Sequence, residues 1–201
     1  VNTELLLAAK PDFVILSADL SQQQPVAALC REAGIPAAAF TVDSFADYLQ
    51  VLSVFTGITQ RPDAYETYGT QVERRVEALL EQARSIGRRP KILLLRAFST
   101  GAKAKTTDNF VGEMLSELGA DNIATHAQVL LDDLSLETIL EENPEYIFVT
   151  TMGEDPQAAL DYMEREMAAH PAWKTLDAVR EGRYVVLPQE LYHFKPNARW
   201  D

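Results

Sequence analysis

Six basic and four aromatic side chains crowd two short stretches of this chain. Arg96, Phe98, Lys103 and Lys105 lie in RAFSTGAKAK, and Tyr192, His193, Phe194, Lys195, Arg199 and Trp200 in LYHFKPNARW. Cations beside aromatic faces supply charge-assisted hydrogen bonds and stacking surfaces, which is the chemistry that holds a large, flat or anionic ligand. Singly, each has a commoner role, since Lys and Arg solubilise loops and aromatic rings cap cores. As a cluster, in a chain of net charge −12, they mark a binding site.

Catalytic signatures are largely missing. Gly101 to Thr107 (GAKAKTT) lacks the first glycine and the Gly-Lys-Ser/Thr core of a phosphate loop, and no Gly-x-Ser-x-Gly elbow occurs. His126, His170 and His193 fall in separate segments, without the paired spacing of a zinc site. His170, before Pro171 at a helix end, reads as a partner of the helix dipole, and His126 as a solvated side chain. Only His193 reads as a ligand contact. The single cysteine, Cys30 in PVAALCREAG, excludes an internal disulfide and a cysteine-based metal cluster, and reads as a buried structural thiol. The acid pairs Asp132-Asp133 and Glu141-Glu142 read as solvated faces. The negative charge is spread along the chain, which argues against a nucleic-acid partner. No stretch approaches the ~20 apolar residues of a membrane span.

These candidates are positioned by strands alternating with helices. DFVILS (12–17), IPAAAF (35–40), KILLL (91–95), EYIFVT (145–150) and RYVVL (183–187) read as buried strands. Helices lie between them: 3–10, 21–33, 45–55 (broken at Gly57), 109–118, 136–142, 156–170 and 173–180. The alternation predicts α/β, with parallel sheets covered on both faces. Ligands collect at the carboxyl ends of such strands, which selects the loops 18–21, 96–105, 151–155 and 189–200.

The organising element is RPDAYETYGTQVERRVEALLEQARSIG. Tyr65, Tyr68, Val72, Val76, Leu79, Ala83 and Ile86 recur at helical spacing, from Pro62 to the stop at Gly87. At 1.5 Å per residue this helix is about 36 Å long, which makes it a strut joining two α/β lobes, 1–61 and 88–201. One echo supports similar lobes: TELLLAAKPDFVI (3–15) lines up with LETILEENPEYIF (136–148), with Glu4 and Glu137 in register.

Taken together these segments resemble the extracytoplasmic solute-binding proteins of ABC importers for ferric siderophores, haem and vitamin B12. The resemblance covers nearly the whole chain. It rests on NTELLLAAKPDFVIL, GIPAAAF, the long helix followed by RPKILLL, TTDNFVGEMLSELGADNIA, LSLETILEENPEYIFV and HPAWKTLDAVREGRYVVLP, in that order and spacing. It implies two α/β lobes bridged by one long helix, an N-terminal lobe incomplete in this chain, and a signal peptide or lipid anchor upstream. It further implies an iron chelate held in the cleft of a monomer at the outer face of the cell membrane, without catalysis or cofactor. Arg96, Lys103, Lys105 and Arg199 would then meet ligand charge. Phe98, Tyr192, Phe194 and Trp200 would pack its rings, and His193 would do either or ligate haem iron. Ferric siderophores suit the basic cluster best, with haem or cobalamin as alternatives. Glu4 and Glu137 would dock onto arginines of the permease. The rivals are a cluster-bearing enzyme subunit of the same architecture, against which the lone cysteine speaks, and a bare metal-ion receptor, which needs converging His or carboxylate ligands.

Overall fold

The computed structural model describes residues 2–132, 134–193 and 198–200. It is α/β, as the alternation predicts, with two separate sheets. The first is small. Helix α1 (Thr3–Ala9) leads into β1 (Val14–Ser17), and α2 (Gln24–Glu32) connects β1 to the parallel β2 (Ala37–Phe40), with Val14 beside Ala37 and Ser17 beside Phe40. Alternation along β1 turns Val14 and Leu16 inward against Val26 and a fully buried Cys30, and leaves Ile15 exposed.

Helix α3 (Phe45–Thr59) starts at a capping box between Ser44 and Asp47. It does not break at Gly57. Glycine costs a helix only about 1 kcal/mol, less than burial of Tyr48, Val51 and Thr56 along its inner face returns. Gln60, left-handed at φ 53°, ends it instead.

The long rod follows as α4 (Pro62–Tyr65), a widened π turn at Glu66–Thr70, and α5 (Gln71–Ile86), closed by Gly87 at φ 65°. Helical backbone therefore runs without interruption from Pro62 to Ile86. The π turn lies where α3 crosses. The Tyr48 hydroxyl donates to the Tyr68 carbonyl at 2.7 Å, and Leu52 packs against Gly69. Of the apolar stripe only Val72 is fully buried, while Leu79 and Ile86 face solvent.

The second sheet holds β3 (Lys91–Phe98), β4 (Gly101–Ala104), β5 (Asp121–Asn122), β6 (Tyr146–Thr151) and β7 (Tyr184–Val186). Its order is β4-β3-β6-β7, with β5 pairing the start of β3, and only β4 runs antiparallel. Here the strand reading needs correction. Rather than leaving the sheet at Leu95, the chain continues to Phe98, turns at Ser99-Thr100, and returns. Arg96 disguised the strand, although period-2 alternation persists, with Ala97 buried between Arg96 and Phe98. Arg96 and Lys103 are direct cross-strand partners, on the same face of the sheet.

Each face of this sheet has its own core. Leu93, Leu95, Ile147 and Val149 pack against Ile139 of α8 (Leu136–Glu142, after the one-turn α7, Val129–Asp132). They also meet Ala159 and Met163 of α9 (Pro156–Met163) and Ala178 of α10 (Asp177–Arg180). On the opposite face Ile92 and Leu94 pack with Phe110 and Val111 of α6 (Phe110–Glu117), Tyr48 and Val51 of α3, Val72 of the rod, and Trp200. Thus α3, with Val72 and Val76 of the rod and Phe40 of β2, packs on the second sheet, whereas β1 and α2 form a small core of their own from Val14, Leu16, Val26 and Cys30.

The start of α6 is tightly specified. Asn109, almost fully buried, accepts hydrogen bonds from the Val111 and Gly112 N–H groups at 3.2 and 3.3 Å and donates to the Thr106 carbonyl at 3.1 Å. Asn109→Ala removes all three and should cost about 1–2 kcal/mol, read as a lower urea midpoint at unchanged slope.

Candidate functional site

A cleft of about 750 Å³ opens where the carboxyl ends of strands from both sheets face each other. One wall is built by Leu16, Ser17 and Phe40 at the ends of β1 and β2, with Val51 and Phe55 of α3. The other has Arg96 of β3, Met152 beyond β6, Asn109 and Phe110 at the start of α6, and Tyr192 and His193 at the end of α11 (Gln189–Tyr192). Both sheets thus present to the cleft their strand carboxyl ends, where ligands of α/β proteins gather. The lining mixes aliphatic and aromatic side chains with charged and polar ones, and the volume is that of small-molecule sites, about 300–1,000 Å³.

Arg96 is the group that stands out. Its guanidinium is half-buried and has no side-chain hydrogen bond or ion pair among the described residues. Burial pulls its pKa down from the ordinary arginine value, and the carboxylate of Asp108, acting through space, offsets part of this. Asp108 has partners of its own: an ion pair with Lys105, the Thr106 N–H at 3.1 Å and the Asn109 amide at 3.2 Å. Burial pushes the Asp108 carboxyl up, but those partners outweigh it and hold it below the usual carboxylate range. The donors of Arg96 are therefore left to whatever enters the cleft.

His193 sits close enough to Arg96 to feel its charge. Burial, and then that charge, hold the imidazole pKa below its ordinary range, which favours the neutral ring. Beside it is Tyr192, whose phenol can donate, accept or stack.

The structure disperses the rest of the sequence cluster. Lys103 is exposed on β4 and Phe98 half-buried at the end of β3, both outside the cleft lining. Lys105 is tied to Asp108. Arg199 is exposed, and Trp200 lies in the core, its ring within 6 Å of Phe45, Tyr48 and Phe110. Phe194 and Lys195 are outside the described residues. Of the named ligand contacts among the described residues, Arg96, Tyr192 and His193 share the cleft. Phe40, Asp43, Asp108, Asn109 and Phe110 were missed. Phe40 and Asp43 stand at and just beyond the carboxyl end of β2, the kind of place where the strand-end rule expects ligand contacts. His126 is exposed, as read from the sequence, and has one partner among the described residues, while the reading of His170 changes. His126 Nε2 lies 2.8 Å from an Asp121 oxygen, and His170 Nδ1 caps the next turn by accepting from the Ala172 N–H at 3.2 Å.

Glu4 and Glu137 occupy matching places. Each is exposed in the first turn of a seven-residue helix, behind a side-chain cap from Asn2 or Ser135. Each helix ends on a left-handed residue, Lys10 or Asn143, before a proline and a parallel strand.

The sequence profile of the periplasmic binding protein family matches residues 1–191. The chain belongs to that family. Solved structures agree in fold. For this periplasmic binding protein, Staphylococcus aureus IsdE complexed with haem gives a TM-score of 0.75 at 17% identity, covering 98% of this chain and 75% of that one. The apo periplasmic haem-binding protein RhuT from Roseiflexus gives 0.72 at 22%, covering 96% and 72%. An ABC transporter substrate-binding protein from Listeria monocytogenes gives 0.69 at 18%, covering 97% and 74%. No curated protein sequence matches the chain. No helix among the described residues is long and apolar enough to cross a membrane.

Proposed function

We propose that this periplasmic binding protein captures an iron chelate in its cleft and delivers it to the permease of an ABC importer, outside the cytoplasm. Residues 1–61 and 88–201 act as the lobes and 62–87 as the spacer, with α3 buried on the second lobe while lending Val51 and Phe55 to the cleft. The observation that carries the reading is Arg96, a half-buried guanidinium without a hydrogen-bonded or ion-paired protein partner among the described residues, on the wall of a cavity lined also by Phe40, Phe55 and Phe110. A charge left in that state is costly unless a ligand completes it. The chemistry on offer is recognition: donors from Arg96, apolar contact from Phe40, Phe55 and Phe110, and no step in which a bond must break. A ferric siderophore fits this description. Haem is a second reading favoured by one specific feature, Tyr192 on the cleft wall with Arg96, since a phenolate could ligate iron while the guanidinium meets a propionate.

The test is an equilibrium titration with a ferric trihydroxamate, haemin and cyanocobalamin, followed by tryptophan quenching. Trp200 contacts Phe110, which lines the cleft, so a coloured chelate bound there lies within energy-transfer range. Saturable 1:1 quenching by a chelate supports the reading, and no quenching by any of the three overturns it.

Delivery is assigned to Glu4 and Glu137. Glu4→Arg with Glu137→Arg should cut ligand-stimulated transport by roughly tenfold or more through reversed charge at the permease contact. Chelate affinity should be unchanged, because both side chains lie outside the cleft lining. Loss of chelate affinity would show that the glutamates had been given the wrong role.

A further inference from the structure

Two segments of the second sheet build part of the cleft wall that includes Arg96, and a side chain outside the cleft joins them. Strands β6 and β7 are parallel neighbours, so the segments that follow them leave the sheet side by side. The first brings Met152 to the cleft, and the second, through the one-turn helix α11, brings Tyr192 and His193. Met152 is fixed by its N–H, which donates to the Ala97 carbonyl at 2.9 Å. Helix α11 depends on its surroundings. Its four residues are too few to be stable by their own hydrogen bonds, no side chain caps its start, and none of its residues is fully buried. Its first residue, Gln189, reaches back to the preceding loop, where the side-chain amide donates to the Gly153 carbonyl at 2.7 Å. Gln189 lines a separate hollow of about 330 Å³ with Pro156, Leu160 and Leu187, and is not part of the cleft lining. The acceptor end is specified as well. Gly153 lies at φ 111°, a backbone conformation that any side chain would strain, although a Cβ there would meet nothing within 4 Å.

We propose that Gln189 is a positioning residue for ligand binding: its amide ties α11 to the loop after β6, and so holds Met152, Tyr192 and His193 in the arrangement that the ligand meets. This rests on the iron-chelate reading above, and adds to it a residue that acts without touching the chelate. Without the bridge the turn frays by itself, because local opening gives up only the contacts of that segment and leaves the core intact. A wall that is formed for part of the time lowers the apparent affinity in proportion to that fraction. The type of side chain matters to the role. A glutamate of the same shape has no proton to donate when ionised, and sets its carboxylate against the Gly153 carbonyl.

The experiment measures chelate affinity, urea unfolding and amide hydrogen exchange for Gln189→Ala and Gln189→Glu, using whichever of a ferric trihydroxamate and haemin binds the wild type more tightly. Both variants should bind roughly 3- to 10-fold more weakly at an unchanged urea midpoint. The Tyr192 and His193 amides donate to the Pro188 and Gln189 carbonyls. In the unliganded variants they should exchange roughly fivefold faster, and saturating chelate should restore their protection. Gly153→Ala should weaken binding too, and combining it with Gln189→Ala should weaken it no further than the stronger single change, since both cut one bridge. Gln189 variants that bind like wild type, a urea midpoint that falls in step with affinity, or losses that add in the double variant would each overturn the inference and leave the chelate reading standing. Failure of the wild type to bind any chelate would instead remove that reading, and the inference with it.

Discussion

Arg96→Gln is expected to weaken chelate binding by roughly 10- to 100-fold, the equivalent of about 1.5–3 kcal/mol for a charge-assisted hydrogen bond to the ligand. The unliganded protein should be no less stable for the change. Arg96 has no hydrogen-bonded or ion-paired partner to lose among the described residues, and burial already disfavours its charged form. Titration and urea unfolding of the same two proteins would check both halves. A structural arginine would behave the opposite way, with stability falling and affinity following. Arg96→Lys should fall between, because an ammonium keeps the charge but loses the planar fork that grips a carboxylate with two parallel bonds.

The largest effect on stability should come from a residue that never touches the ligand. A Cβ on Gly112 would lie 1.7 Å from the Thr106 carbonyl oxygen and 2.6 Å from its carbon. Both are backbone atoms, so no side chain can swing away to make room. Gly112→Ala is expected to cost about 3–5 kcal/mol, through backbone displacement and loss of the Asn109 cap. The same displacement would move the 105–108 segment that holds Asp108 beside Arg96, so chelate affinity should fall with stability. A urea midpoint within error of wild type would show that α6 and that segment are not packed as described.

Much of the fold was legible because its signals are local. Apolar runs such as KILLL and EYIFVT, caps at Ser44 and Ser135, and the glycine stops at Gly87 and Gly119 each act within a few residues, and those elements stand where the signals put them. The hairpin at 96–104 was hidden because its strands carry Arg96 and Lys103 on a half-covered face, and polarity there imitates a loop. Gly57 misled for a related reason: whether a glycine ends a helix depends on what the helix buries, which no short window contains. The site was less legible than the fold. Arg96, Tyr192 and His193 could be named because they stand at strand ends or in the last loop, where ligands are expected. Trp200 could not be placed, because an aromatic ring beside basic residues looks the same in sequence whether it faces a ligand or a core. Lys105 likewise looks like a ligand contact until Asp108 is seen to occupy it.

The central claim is that an iron chelate sits between the strand ends, against Arg96. Anomalous scattering from crystals of the protein grown with a saturating ferric chelate locates the metal without assumptions about the contacts around it. The account predicts a single strong iron peak inside the cleft bounded by Phe40, Phe55, Arg96 and Tyr192, with a ligand oxygen within hydrogen-bond reach of the guanidinium. A peak on the outer surface, or no peak from a chelate that binds in solution, would contradict it.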